Sequence, residues 1–558
     1  MRAMRTAIVA AAMATTALGA EAVADSVARR VTVADAPWCA PDASKQAEAP
    51  AAAAPVLVDG FGTAAMAPDS SNPEVRRWFD QGVRMVWAFD EAEAVRAFQQ
   101  AQRLDPNCAM CFWGEAWARG PTINLRPRTA ELEAARTAAN RAMELGTRLN
   151  PHDRWLVRAM HLRTSGEAAF RNAEYAAAME QGALRFSDSD IMNVMAADAR
   201  MVSLAARPQE GMLAQRFLER VLARSPNHSG AIHFYIHLTD WLDRQDLAER
   251  HADRLGRIAP SASHLVHMPA HTFYGVGRYQ DAANVNVAAV AADQAYERRV
   301  RPPATDYRTG LYRHNLHFAI NSALMVNDGR TARMMTQAFT ERFGRADETQ
   351  GFGALIRSAT WYARGLHGDP AQVLAIPQAE GSTPFVRAMR HYARGEALAR
   401  QGNAAAVRAE AQAIAALLDG PEAPQLANRL VQTLVGISRK VLEGRAAMLA
   451  GDYRVAADAY RAAMDLQLGA NLIGGDPPMF WYSTRRSLGA ALLAAGDHES
   501  ARQQLTASLE GWPNDPLALY ALSRAETALG QTANARRSME RARMRWVGEL
   551  SEVPLARI

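Results

Sequence analysis

The stretch RSLGAALLAAGDHESA, Arg486 to Ala501, reads as a helix, a stop and the start of a second helix. Leu488 to Leu492 is apolar with small residues interleaved, Gly496 ends the run, and Ala501 opens the apolar stripe that follows. Leu488, Gly496 and Ala501 return as Leu522, Gly530 and Ala535, each 34 residues later. A fixed period of this length marks a chain built by repetition. The same alternation runs through Gly444, Gly451, Tyr453 and Ala456, and near the other end through Gly82, Ala94, Phe98, Ala101 and Pro106. Further units fit residues 229–262, 263–296 and 313–346, with degenerate ones between about 350 and 420. Every periodic segment has the helical period and none alternates as a strand does, which predicts an all-α chain. One helical hairpin cannot bury its apolar face alone, so neighbouring hairpins are expected to stack.

This pattern resembles the tetratricopeptide repeat, whose two helices touch through small residues at positions 8 and 20, and the resemblance covers about residues 75 to 545. It implies a right-handed α-solenoid of tetratricopeptide-type hairpins, with the first helix of each repeat lining a concave groove. Positions 2, 5, 9 and 12 then face that groove, because they share one side of a helix.

That register gives the histidines a pattern. Counted from Ser229, His233 falls at position 5, His237 at 9 and Asp240 at 12. Counted from Ser263, His264 falls at 2, His267 at 5 and His271 at 9, and counted from Arg313, His314 falls at 2 and His317 at 5. Seven of the 14 histidines thus occupy groove positions of three successive repeats. Two histidines at i, i+4 clamp one metal ion from one helix, and a second pair on a neighbouring helix completes a four-nitrogen shell. His233, His237, His267 and His271 are the expected metal ligands. Asp240, His264, His314 and His317 are expected as further ligands or acid–base groups, and Tyr235 and Tyr274 as residues that orient ligands. Imidazole suits Cu, Zn or Fe. The other reading of the same residues is a groove whose histidines stack on, or hydrogen-bond, a small or peptide ligand. Pro269, between His267 and His271, is expected to kink its helix.

Cys108 and Cys111 flank a helix start, where i, i+3 spacing allows a disulfide. Phe112 rather than His follows Cys111, which excludes a c-type haem attachment. Trp113 and Trp117 are expected on the groove wall, or equally in the core. Gly120-Pro121-Thr122-Ile123-Asn124 makes a long loop where a repeat normally turns sharply. The run CAMCFWG at Cys108–Gly114, that loop, His233 to His237, and HLVHMPAH from His264 to His271 together resemble a subgroup of exported bacterial repeat proteins. Arg485 and Arg486 begin another first helix, where salt bridging at the surface is the expected role.

The rest of the composition sets limits. A net charge of +5 over 558 residues, spread among acidic residues, gives no basic stripe for nucleic acid. Walker, dinucleotide-binding and nucleophile-elbow signatures are absent from the sequence. Arg2 and Arg5, the apolar run to Ala20 and Ala22-Val23-Ala24 have the form of an export signal. The expected divisions are a signal peptide at 1–24, a flexible Ala/Pro-rich leader at 25–70, an N-terminal repeat array at 71–346, a C-terminal array at 347–545 and a tail at 546–558. The expectation is therefore a periplasmic or secreted metalloprotein without a membrane span, acting as a metal-dependent hydrolase or oxidoreductase on a small-molecule or peptide ligand. The alternative is a non-catalytic scaffold that binds a protein partner.

Overall fold

The structure is a computed structural model that describes residues 54–63, 66–124, 129–203, 208–303, 305–344, 352–379, 381–470 and 477–558. The expected signal peptide, Cys39 and most of the leader lie outside these residues. Among the described residues there are α-helices and short 3-10 turns but no strands, as the helical period requires. Among the described residues no helix is long and apolar enough to cross a membrane.

By contacts, the described chain forms two compact units. The first runs to Pro269 and includes Ala291–Gly310; the second comprises Ala270–Val290 and Leu311–Ile558. The sequence-based division at residue 346 falls inside the second unit. The first unit lays down hairpins in chain order: Pro73–Trp87 with Glu91–Leu104, Ala109–Ala118 with Thr129–Leu145, Pro151–Thr164 with Asn172–Arg185, Asp190–Ser203 with Pro208–Arg224, and Ser229–Trp241 with Glu249–Ile258. In the second unit, Arg429–Ala450 pairs with Tyr453–Gly469, Thr484–Ala494 with His498–Gly511, and Pro516–Ala528 with Thr532–Arg543. The sequence between about 350 and 420 keeps the repeat only loosely, and its hairpins are uneven. Phe352–His367 is followed by the six-residue helix Pro370–Ala375.

The tetratricopeptide character shows in how the helices of a hairpin touch. A Cβ on Gly82 would lie 2.7 Å from the Phe98 ring, one on Gly444 2.6 Å from Tyr460, and one on Gly489 2.5 Å from Leu505. Each contact joins residues 16 apart, at positions 8 and 24 of the repeat, so only a residue without Cβ lets the two helices approach this closely. Phe98 is fully buried between Gly82 and Gly114 and packs edge-on against Phe79 at 5.5 Å. Phe98→Ala is expected to cost about 3–5 kcal/mol of stability by opening a cavity between helices that cannot close over it. Urea unfolding measures this, and a loss below about 1 kcal/mol would contradict the packing.

The described part of the leader is not a loose arm. Val58 and Phe61 are buried, the Val58 N–H donates to Gln81 Oε1 at 2.7 Å, and Phe61 packs on Tyr296 at 5.5 Å. The Ser261 N–H donates to the Gly60 carbonyl at 2.9 Å. Asp69 then caps the helix that follows Cys108, accepting from Ala109 N at 3.1 Å and Met110 N at 2.9 Å. The Ala/Pro composition concealed the few apolar residues that fasten this segment to the first unit.

Candidate metal centre

The helix Ser229–Trp241 begins at His228, whose Nδ1 accepts the Ala231 N–H at 3.2 Å. Its first turn rests on Trp87, and a Cβ on Gly230 would stand 2.6 Å from that indole. This approach brings His233 Nδ1 to 2.7 Å from the Trp87 carbonyl. A carbonyl only accepts, so the proton is on Nδ1, and His233 turns the lone pair of Nε2 inward. One helical turn on, the His237 ring lies 4.9 Å from that of His233, the two planes tilted at 49°.

The third member comes from the short helix Ser263–His267. His264 Nε2 lies 3.0 Å from His233 Nε2. One ligand nitrogen from each of His233, His237 and His264 can be chosen so that all lie within 4.8 Å of one another, and all three residues are buried. Two imidazole nitrogens on a tetrahedral ion with bonds of about 2.0–2.1 Å stand about 3.3 Å apart, close to the separation of His233 and His264. These three histidines can hold a metal ion.

Phe89 covers them. Its ring centre is 4.4 Å from His233, 5.3 Å from His264 and 6.0 Å from His237, nearly parallel to the last two. It sits where the helix Pro73–Trp87 ends, with the Asp90 N–H donating to the Met85 carbonyl at 2.9 Å and the Phe89 N–H to Val86 at 3.1 Å. That closure needs a left-handed residue and usually takes glycine. Phe89 adopts it at φ 55°. A bulky side chain held there costs on the order of 1–3 kcal/mol, and such strain collects at functional positions.

No family model matches the chain, and neither does any curated protein. Solved structures that the chain is similar to include three at low similarity. The human IFIT1 dimer with m7Gppp-AAAA has 11% identity and a TM-score of 0.29, covering 85% of this chain and 91% of that one. The P58(IPK) TPR domain has 12% identity and a TM-score of 0.23, covering 82% and 99%. Naa15/Naa10 bound to HypK-THB has 11% identity and a TM-score of 0.20, covering 87% and 90%.

The histidines do not assemble as the register anticipates. His267 is buried in the first unit with its ring 5.9 Å from His264, but it does not join His233 and His237. His271 belongs to the second unit, its ring 5.8 Å from that of His314. Pro269 accounts for the change. It ends one helix at His267 and starts another, Pro269–Gly275, so the expected single first helix is two. The neighbour that meets His233 is then His264, one turn earlier. The seven histidines are buried rather than displayed on an open face.

Asp240 accepts from Gln245 Nε2 at 2.9 Å and is not in the histidine group. Tyr235 donates to Glu219 Oε1 at 2.9 Å, and Tyr274, in the second unit, to the Trp481 carbonyl at 3.4 Å. Trp113 and Trp117 are buried 5.3 Å apart, and Trp117 meets Trp87 at 4.7 Å, so they back the centre as core. Cys108 and Cys111 form a disulfide, with Cα atoms 5.4 Å apart. Arg486 is fully buried and paired with Asp515, not at the surface.

His317, in the second unit, is within 3.1 Å of Asn321 Nδ2, and burial pushes its pKa down to about 3. The unfolded chain therefore binds a proton near pH 6.5 that the folded chain refuses until about pH 3. Stability from this group is present above about pH 6.5 and is lost as pH falls through that window. His317→Gln is expected to flatten the acid limb of stability against pH, read by urea unfolding across the window; an unchanged limb would contradict it.

Proposed function

We propose that the protein is an exported metalloprotein whose transition-metal centre is held by His233, His237 and His264, with Cu, Zn or Fe as the ion. The observation that carries this is the convergence of three buried imidazoles, one of them fixed in its tautomer by the Trp87 carbonyl. A structural ion usually has four protein ligands, whereas three leave a position for water or substrate. That favours a metal-dependent hydrolase or oxidoreductase, in which the ion would activate water or dioxygen beneath Phe89. Phe89 would then keep bulk water from the centre.

Metal analysis of protein purified without an affinity tag tests the reading, which requires at least about one equivalent of bound metal. Protein free of metal, and unable to take it up from a dialysis series of Cu, Zn and Fe, would refute it. Phe89→Gly relieves the backbone and removes the cover. It is expected to shorten the half-time of metal release to a chelator by at least about tenfold, and an unchanged half-time would show that the ring is no barrier.

A further inference from the structure

Away from the histidines, the first unit buries charged groups that lack the partners they need. Arg163 is fully buried; its Nη2 donates to the Pro121 carbonyl at 2.7 Å and its Nε to Asn172 Oδ1 at 3.1 Å, while Nη1 has no partner. Its guanidinium lies over the Tyr175 ring, 4.6 Å from the centre, and the Tyr175 hydroxyl also has no partner. Asp198 and Glu91 are 5% and 8% exposed, and Asp198 Oδ1 and Glu91 Oε1 are unpartnered. The charge of Arg163 acts on Asp198, and that of Asp198 on Glu91, so the four share one neighbourhood. Each unsatisfied buried group costs about 1–3 kcal/mol, so several at one place call for an explanation, and a bound ligand is one.

The orphaned atoms are of two kinds. Arg163 Nη1 and Tyr175 OH are donors, whereas Asp198 and Glu91 offer acceptors and, when both are ionised, carry one negative charge more than Arg163 balances. Burial pushes Glu91 up to about 8, with Asp90 and Asp198 adding to it, and pushes Asp198 up to about 7 against the pull of Arg163. A cation placed between the two carboxyls would reverse those shifts. We infer that this cluster is a binding site for a small zwitterion of the α-amino acid type, its ammonium between Glu91 and Asp198 and its carboxylate on Arg163 and the Tyr175 hydroxyl. Glu91 begins the helix two residues after Phe89, so the site lies beside the cover of the histidine centre in the chain. The inference does not depend on that centre holding metal.

The test uses the full chain, both as purified and as His264→Ala treated with chelator. A thermal-shift screen of the common α-amino acids at millimolar concentration is followed by calorimetry, with methylamine and acetate as the two halves of the ligand. At least one amino acid should raise Tm in both proteins. It should bind at least about tenfold more tightly than either half, since each half forgoes charge-assisted bonds. Calorimetry in two buffers of different ionisation enthalpy should show protons released near pH 7.5, because the ammonium drives the carboxyls to ionise. Glu91→Gln keeps the shape and should weaken binding about tenfold or more, and Tyr175→Phe, which removes only the hydroxyl, should weaken it less. No shift with any amino acid would mean that the cluster holds internal water only and would overturn the inference. So would acetate binding as tightly as the amino acid, proton uptake instead of release, or an unchanged affinity in Glu91→Gln with helicity intact.

Discussion

His264→Ala is expected to lower metal affinity by at least about a hundredfold, leaving helicity almost unchanged, because it removes one of the three ligands. His237→Ala should do the same. His267→Ala is the informative contrast. The 34-residue phase places His267 in the shell and leaves His264 as an accessory, and so predicts the opposite order. The structure puts His264 Nε2 3.0 Å from His233 Nε2 and His267 outside the group. Metal content of the three variants, with circular dichroism as the control for folding, decides between the two arrangements. Equal loss in His264→Ala and His267→Ala would show that both residues hold metal and would overturn the three-histidine shell. Chelation of the wild-type protein should lower Tm, since an ion that binds only the folded chain stabilises it by mass action.

Which parts of this were legible in the sequence follows from what a period can encode. The 16-residue contact from Gly82 to Phe98, repeated at Gly444–Tyr460 and Gly489–Leu505, is local and recurs, so the spacing of small and large residues announced the hairpins. The candidacy of His233 and His237 was legible for the same reason, being one turn apart on one helix. Their partner was not. It depends on how far one first helix is offset against the next, and Pro269 resets that offset by ending a helix at His267. Phe89 and Trp87 come from a hairpin nearly 150 residues earlier, where the only trace is a helix end with no glycine. Glu91, Arg163 and Asp198 left no signal, since each lies on a different helix and each alone reads as a surface charge. The burial of all seven patterned histidines also bears on the scaffold reading, because an extended partner segment lying along a groove would not reach them.

Asp515→Ala is expected to be among the strongly destabilising substitutions in the second unit. Arg486 Nη1 meets Asp515 Oδ2 at 2.9 Å, and neither side chain has any solvent exposure. The guanidinium carbon also lies 4.2 Å from the centre of the Tyr482 ring. Asp515 also caps the helix Pro516–Ala528, where its Oδ1 accepts from Leu517 N at 3.0 Å and Ala518 N at 3.1 Å. Removing the carboxylate therefore leaves a buried cation uncompensated, at about 3–5 kcal/mol, and an uncapped helix start at about 0.5–2 kcal/mol. Against a usual domain stability of about 5–15 kcal/mol, that is enough to leave the second unit partly unfolded at ambient temperature. Asp458→Ala is the control, because its pair with Arg461 at 2.6 Å is exposed, 47% on the arginine and 78% on the aspartate. It should change stability by less than about 1 kcal/mol. The double variant Arg486→Met, Asp515→Asn removes the charge that the single variant strands and keeps an amide to cap the helix, so it should recover more than half of the loss. Urea unfolding of the three proteins tests the argument. If the single and double variants lose the same amount, the damage comes from packing and not from the stranded charge.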